Sequence, residues 1–425
     1  MILNVFKNTV LLFVLILISC GNNVEKKSVK DSEILNQVQD DKNIVVGANQ
    51  TERYLSLING KKVGIVANQT SVIFKDNDKQ ITTTYSKSST DVYTHLVDSL
   101  LSLNIDINTV FAPEHGFRGT ADAGEHITDG IDTKTGLPII SIYGKNRKPS
   151  QEQLKDIDIM IFDIQDVGAR FYTYISSLHY VMEACAEQGI ALLILDRPNP
   201  NGHYIDGSIL EQENKSFVGM HPVPIVHGMT IGEYAQMING EGWLNNNIKC
   251  KLTVIPIKNY THKTAYSLPI KPSPNLPSDK AINLYPSLCL FEGTNVSVGR
   301  GTGKQFQIIG TPYFYLKRHN YNFTPLPNEG AKYPKHKGKE CHGYDLSKTN
   351  QLNLLNLEWL IEFYFFNKQY APKEKFFNSF FTKLAGTKTL QQQIESGLNE
   401  TEIRATWQVG LNAFKKIRSK YLIYN

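Results

Sequence analysis

Short apolar runs alternate with helical patterns along the first 265 residues, and this alternation restricts the possible folds more than any other feature. Runs such as "KVGIVA", "NTVFA" and "IDIMIFDI" are strand-like and apolar on successive positions, while the segments between them repeat their apolar residues with helical spacing. Strands that are apolar on both faces occur where helices cover both sides of a parallel sheet. The pattern predicts an α/β fold: a Rossmann-like, mostly parallel sheet covered by helices on both faces.

Three helices within this region have a predicted end. Apolar residues spaced for one helix face run from near Arg170 to Cys185, and Gly189 is expected to end that helix. Thr230 and Glu233 have capping-box spacing, so Glu233 is expected to be structural. An earlier segment, "STDVYTHLVDSLLSLN", is predicted to be a helix that begins at Thr90.

A proline-dense stretch, "SLPIKPSPNLPSD", interrupts the alternation of strands and helices and predicts a domain boundary. We expect a Rossmann-like N-terminal domain to cover residues 51–265 and a smaller α+β C-terminal domain to cover 266–425. The chain has 425 residues, of which 41% are hydrophobic and 20% charged, as in ordinary globular proteins. The net charge of +5 is not concentrated in a basic block, so no nucleic-acid partner is expected.

The N-terminus carries a predicted export signal. Lys7 precedes the apolar run "VLLFVLILI", which is too short to span a bilayer but long enough for a signal-peptide core. The run ends in "LISC", which resembles the lipobox of bacterial lipoproteins and implies cleavage before Cys20 and lipid attachment to its thiol. Residues 1–20 are therefore predicted to be a signal peptide and 21–50 a flexible tether. The implied location is the cell envelope, on a bacterial membrane facing the periplasm or exterior. The alternative is an uncleaved membrane anchor.

Polar clusters follow four of the predicted strands: "NQTS", "PEHGFRG", "QDVGARFYTY" and "RPNPNG". Ligands of open parallel sheets bind beyond the carboxyl ends of the strands, so these clusters are expected to form one polar cleft. Carboxylates, amides and aromatic rings suit sugars, and glycoside hydrolysis needs a carboxylic acid that protonates the leaving oxygen. Several of these residues also have structural interpretations, since Asp163 and Asp166 can cap a turn and Arg170 can pair with one of them. Phosphate-loop, dinucleotide, zinc-protease and nucleophile-elbow motifs are absent, and no cofactor or metal is predicted.

Seven motifs together resemble one family. "FAPEHGFRG", "TGLPIISIYG", "FDIQDVGARFYTY", "LDRPNPNGHYIDG", "PSPNLPS", "YPSLCLFEGTNVSVGRGT" and "LAGT" are similar, in this order, to the exo-β-N-acetylmuramidases of the NamZ type. The resemblance extends from about Val63 to the C-terminus. It implies removal of terminal N-acetylmuramic acid from the non-reducing end of peptidoglycan fragments, with the active site between two domains.

The resemblance also implies residue roles. Glu114 is expected to be the general acid. The second catalytic group stays open between four carboxylates and the substrate's own N-acetyl group; the carboxylates are Glu125, Asp163, Asp166 and Glu292. Three arginines are candidates for the lactyl carboxylate of the substrate, namely Arg118, Arg170 and Arg300. The residues expected to bind hydroxyl or acetamide groups are Asn68, His115, Gln165, Tyr172, Asn199 and Asn295.

Two other functions remain compatible with these residues. The same cleft can hold muropeptides without hydrolysis, as a peptidoglycan-binding lipoprotein would. A hydrolase of this type can also prefer another amino sugar, such as N-acetylglucosamine. Whether the configuration at the anomeric carbon is retained or inverted depends on the distance between two carboxylates, and a sequence alone does not give that distance.

Overall fold

The computed structural model describes residues 43–75, 93–118, 125 and 128–425. Its main feature is a seven-stranded sheet with the order β5-β6-β4-β1-β7-β8-β9, parallel throughout except for β5, which runs antiparallel at one edge. The predicted fold class is confirmed. The strands of this sheet are β1 (Val63–Ala67), β4 (Ile107–Ala112), β5 (Gly130–Ile131), β6 (Pro138–Ser141), β7 (Ile159–Asp163), β8 (Ala191–Leu195) and β9 (Lys251–Ile255), with β2 (Val72–Phe74) and β3 (Tyr93–His95) forming a separate hairpin pair.

Each face of the sheet has its own hydrophobic core, because neighbouring strand residues point in opposite directions. In β7, Ile159 and Ile161 pack into one core with the helices before and after β1, whereas Met160 and Phe162 pack into the other. The second core continues without interruption into the C-terminal part of the chain. The helices of the N-terminal region are α1 (Thr51–Ile58), α2 (Leu96–Ser102), α3 (Gln151–Leu154), α4 (Tyr174–Gln188) and α5 (Ile231–Gly240).

The C-terminal part combines helices with a small antiparallel sheet whose strand order is β10-β12-β11. Its strands are β10 (Ile308–Thr311), β11 (Tyr321–Phe323) and β12 (Cys341–Asp345), and its helices are α6 (Asp279–Leu288), α7 (Glu358–Tyr370), α8 (Phe380–Ala385), α9 (Thr389–Glu395) and α10 (Glu400–Arg418). Within the described ranges, no helix is long and apolar enough to cross a membrane.

Two of the predicted helix ends are confirmed and one predicted helix start is wrong. Gly189 ends α4 in a left-handed conformation, and Thr230 with Glu233 forms a complete capping box on α5, as expected. The helix predicted from Thr90 begins at Leu96 instead, because Tyr93–His95 pairs with β2 and the His95 ring accepts a hydrogen bond from the Val97 backbone as N-cap. Thr90 itself lies outside the described residues.

The predicted tether ends earlier than residue 50. Ile44, Val46 and Ala48 are buried, and Val45 forms a β-bridge with Lys258 beside the edge strand β9. Residues 43–50 are therefore part of the folded unit, because their apolar side chains fill the core that the sheet leaves open there. Residues 21–42, the predicted signal peptide and Cys20 lie outside the described residues, and the domain boundary at 265/266 stays a prediction.

Candidate active site

A cleft of about 830 Å³ lies where residues from the ends of β4 and β6 meet the C-terminal part of the chain, a size typical of small-molecule sites. Five of the residues predicted from sequence line it: Glu114, His115, Tyr172, Glu292 and Arg300. Cleft residues that the sequence analysis did not single out for binding include Tyr143, Arg147, Thr173, Asn275, Tyr285, Tyr333, Lys335 and Phe380.

Glu114 is held by two hydroxyl groups. Tyr143, just beyond β6, donates from its hydroxyl to Oε1 at 2.9 Å, and Thr173, the residue before α4, donates to Oε2 at 2.6 Å. These two bonds fix both carboxylate oxygens, so the side chain keeps one orientation at the wall of the cleft. Burial and the neighbouring Glu114 charge raise the pKa of the Tyr143 hydroxyl, which keeps it protonated and able to donate.

The turn after β4 explains the "EHG" sequence. His115 and Gly116 both have positive φ, at 72° and 77°, and the Gly116 amide donates to the Pro113 carbonyl at 3.0 Å. A non-glycine residue in this conformation is uncommon, and such backbone strain concentrates at functional sites. The turn presents Glu114 and His115 to the cleft immediately after the buried strand.

Glu292 and Arg300 form an ion pair on the C-terminal side of the cleft. Glu292 lies in a 3₁₀ helix (Cys289–Gly293), and its Oε1 accepts a hydrogen bond from Arg300 Nε at 3.1 Å. Among the described residues, Nε is the one Arg300 donor that has a hydrogen-bond partner, so both terminal nitrogens can bind a ligand. The guanidinium carbon also lies 5.1 Å from the centre of the Phe306 ring.

Tyr285 is a buried residue that lines the cleft. Burial raises the pKa of its hydroxyl, and the neighbouring Cys289 raises it further, so the phenol stays protonated. The ring packs edge-to-face on Tyr172 and Phe306, with centroids 5.8 and 5.0 Å apart, and this packing holds the floor of the site rigid.

The structure places Asp163 away from the cleft. It is completely buried and forms a two-pronged ion pair with Arg197, with Nε–Oδ1 and Nη2–Oδ2 distances of 2.6 and 2.9 Å. Asp166 is buried as well; its Oδ2 accepts a bond from the Gly168 amide at 2.7 Å, and burial raises its pKa to about 7. Neither carboxylate lines the cleft. Asp163 joins the end of β7 to Arg197, which follows β8, whereas Asp166 bonds within the turn between β7 and α4. We assign them structural roles.

Two of the three arginine candidates are also engaged elsewhere. Arg170 is fully buried and donates to four backbone carbonyls, those of Ser208, Val223, Leu384 and Ala385. Arg118 pairs with Asp132 at 2.8 Å and with Asp98 at 3.5 Å, outside the cleft. Arg170 therefore joins distant segments of the chain, and Arg300 is the arginine of the three that lines the cleft.

The predicted amide ligands are mostly internal. Asn68 donates to the Tyr174 hydroxyl at 2.9 Å, Asn199 donates to the Met229 carbonyl at 3.0 Å, and Gln165 donates to the Pro198 carbonyl at 2.6 Å. Asn295 donates to Asn367 at 2.8 Å. These side chains shape the loops beneath the site and do not line it. Asn199 packs so closely on the turn that an added Cβ at Gly168, whose φ is positive, would collide with its side-chain amide.

Two further candidates have specific neighbours. Tyr172 lines the cleft with its ring, while its hydroxyl donates to the Pro272 carbonyl at 2.9 Å. Glu125 forms an ion pair with Lys332 and does not line the cleft. The strand-end rule that led to Glu114 also applies to Tyr143, which follows β6 in "SIYG", so that residue was within reach of sequence reasoning. Lys335 could not be found by this rule, because its position in the cleft depends on bonds to carbonyls of residues about forty positions earlier in the chain.

Comparison with known proteins gives a consistent result. Family models described as exo-β-N-acetylmuramidase NamZ, N-terminal and C-terminal, match residues 63–280 and 283–424. The chain is 39% identical over 387 residues to the peptidoglycan β-N-acetylmuramidase NamZ of Bacillus subtilis, covering 87% of this chain and 89% of that protein.

Two solved structures, both of DUF1343 family proteins from Bacteroides fragilis, share the fold. One is 46% identical with a TM-score of 0.78 and the other 26% identical with a TM-score of 0.76. Each match covers 90% of this chain, and 99% and 100% of the respective structures.

Proposed function

The chain belongs to the exo-β-N-acetylmuramidase NamZ family, and we propose that Glu114 is the acid with which it removes terminal N-acetylmuramic acid from peptidoglycan fragments. The protein is a glycoside hydrolase of this specificity, acting at the non-reducing end. The observation that carries the assignment of Glu114 is its position at the cleft wall, with both carboxylate oxygens fixed by Tyr143 and Thr173.

The proposed reaction begins with proton transfer. Glu114 gives its proton to the glycosidic oxygen as the bond from that oxygen to the anomeric carbon breaks, and the sugar on the far side leaves as an alcohol. Positive charge then develops on the ring of N-acetylmuramic acid. Of the carboxylates considered from sequence as the second group, Glu292 is the one that shares the cleft with Glu114. It and the substrate's own acetamide oxygen are the two groups we propose for stabilising that charge. A water molecule then adds to the anomeric carbon, its proton returns to the Glu114 carboxylate, and free N-acetylmuramic acid leaves.

We assign recognition of the lactyl carboxylate to Arg300. Its two terminal nitrogens are spaced for a two-pronged bond to a carboxylate, and the pair with Glu292 holds the guanidinium in place. Arg147 also lines the cleft, but it is exposed and lies over the Phe217 ring, and an exposed ion pair contributes at most about 1 kcal/mol. A substrate without the lactyl group would leave Arg300 without its ligand, which lowers the rate for that substrate.

Arg300→Ala is expected to lower kcat/KM for N-acetylmuraminides at least about tenfold more than for the matching N-acetylglucosaminides. The measurement is the ratio of the two kcat/KM values with the same leaving group. Arg118→Ala is the matched control, because Arg118 lies outside the cleft, and it should leave the ratio unchanged. If Arg118→Ala changes the ratio and Arg300→Ala does not, the recognition of the lactyl group is misassigned.

The enzymatic assignment has its own direct test. Purified protein is expected to release N-acetylmuramic acid from a saccharide that ends in that sugar, and to act poorly on one that ends in N-acetylglucosamine. Binding without release would favour the non-catalytic peptidoglycan-binding protein. Faster release of N-acetylglucosamine would favour a hexosaminidase of different preference.

We propose that the enzyme is a lipoprotein of the cell envelope, anchored through Cys20. The support is the "LISC" sequence after an apolar run and the polar segment that follows it. Cys20→Ala is expected to move the protein from the membrane fraction to the soluble fraction or to leave an unprocessed precursor, as followed by immunoblot and metabolic labelling with palmitate. Label incorporation equal to that of the unmodified protein would contradict the proposal.

A further inference from the structure

Tyr333 is the most exposed large hydrophobic side chain of the described residues that line the cleft. Its side chain is 91% exposed, although it borders the same cavity as Glu114 and Arg300. Phe380, at the start of α8, is 38% exposed and lines the cleft too. Aromatic rings left open to solvent at a binding site are typical of surfaces that bind a ligand.

The loop that carries Tyr333 is held in place on both sides of it. Asn328 and Ala331 exchange backbone hydrogen bonds of 3.1 Å, and the Gly330 carbonyl accepts a bond from the Asn275 amide. Lys332, next to Tyr333, forms its ion pair with Glu125. The ring is therefore presented by an ordered backbone before any ligand arrives, which lowers the entropy lost on binding.

Lys335 anchors the other side of the loop. Its ammonium group donates to the carbonyls of Phe291, Thr294 and Val296 at 3.0, 2.6 and 3.0 Å, so all three of its protons are used. His336, with a φ of 61°, contacts the Asn295 carbonyl through Nε2 at 2.6 Å. These bonds tie the Tyr333 loop to the segment that follows the 3₁₀ helix of Glu292, and they fix the distance between the exposed ring and the charged wall.

We propose that Tyr333 is the stacking platform for the sugar that follows the scissile bond, the sugar that leaves when N-acetylmuramic acid is released. This inference rests on the proposed function. The terminal sugar needs the charged and hydroxyl groups around Glu114 and Arg300, whereas the next sugar of the chain extends out of the cleft and offers a pyranose face to an exposed ring. Tyrosine suits this role because it gives a large contact area with few rotatable bonds.

The test compares two substrates that differ only in the leaving group. One is N-acetylmuramic acid β-linked to N-acetylglucosamine, and the other is the methyl β-glycoside of N-acetylmuramic acid, which has no second sugar. Tyr333→Ala is expected to lower kcat/KM about fivefold to tenfold for the disaccharide and to leave the methyl glycoside within twofold of the unmodified enzyme. Tyr333→Phe and Tyr333→Trp should retain the rate on both.

Tyr315→Ala is the matched control, since Tyr315 is 60% exposed but lies outside the cleft, and it should alter neither rate. An equal loss on both substrates, or no loss on the disaccharide, would overturn the assignment of Tyr333. If the unmodified enzyme releases N-acetylmuramic acid from neither substrate, the proposed function fails instead, so the two failures are distinguishable. Melting temperatures of all variants are measured beside the rates and are expected to equal that of the unmodified enzyme.

Discussion

Glu114→Gln is expected to lower kcat on the disaccharide by a hundredfold or more, with KM and melting temperature little changed. The amide keeps the size of the side chain and can still bond to Tyr143 and Thr173, but it has no acidic proton for the glycosidic oxygen. The loss should be smaller on a nitrophenyl glycoside, because a nitrophenolate leaves with little need of protonation. The measurement is kcat and KM of both enzymes on the disaccharide and on the nitrophenyl glycoside.

The difference between the loss of kcat on the disaccharide and the loss on the nitrophenyl glycoside identifies the role of Glu114. An equal loss on both substrates would indicate that Glu114 acts on the anomeric carbon or its charge and not on the leaving oxygen. Near-normal activity on the disaccharide would assign the acid to another residue, with Glu292 as the first candidate in the cleft. Glu152→Gln is the matched control and should leave kcat unchanged. Glu152 is an exposed residue of α3 that pairs with Lys155 and does not line the cleft.

Asp163→Ala is expected to destabilise the fold by about 3–5 kcal/mol while affecting the chemistry of the folded fraction little. The change leaves the Arg197 guanidinium, which is 3% exposed, without the carboxylate that takes two of its hydrogen bonds. Urea unfolding at low temperature gives the free energy, and kcat per folded molecule is measured beside it. A variant of unchanged stability that has lost its activity would return Asp163 to the catalytic candidates.

Two controls isolate the cost of the unpaired charge. Asp156→Ala removes a carboxylate whose ion pair with Lys62, at 3.7 Å, is exposed, and it should change stability by no more than about 1 kcal/mol. Replacing Asp163 and Arg197 together by apolar residues of similar size should cost less than the single change, because no charge is then left buried alone. A double variant less stable than Asp163→Ala would contradict this account.

Local signals in the sequence account for most of the elements. The apolar runs predicted β1, β4 and β7, and Gly189 and the Thr230–Glu233 capping box set two helix ends where the sequence placed them. These signals succeed because the interactions that decide them lie within a few residues. The helix start predicted at Thr90 was wrong because β3 is fixed by pairing with β2, a contact between segments about twenty residues apart in the chain.

The sequence by itself determined the sheet, the family and the strand end at which Glu114, the proposed acid, lines the cleft. It could not separate Arg300, which lines the cleft, from Arg170, which is enclosed by carbonyls of residues 208, 223, 384 and 385. Both arginines stand in glycine-containing motifs, and their surroundings come from distant parts of the chain. Tertiary structure decides such roles, because a charged side chain binds a ligand only where the fold leaves its donors unbonded and open to a cavity.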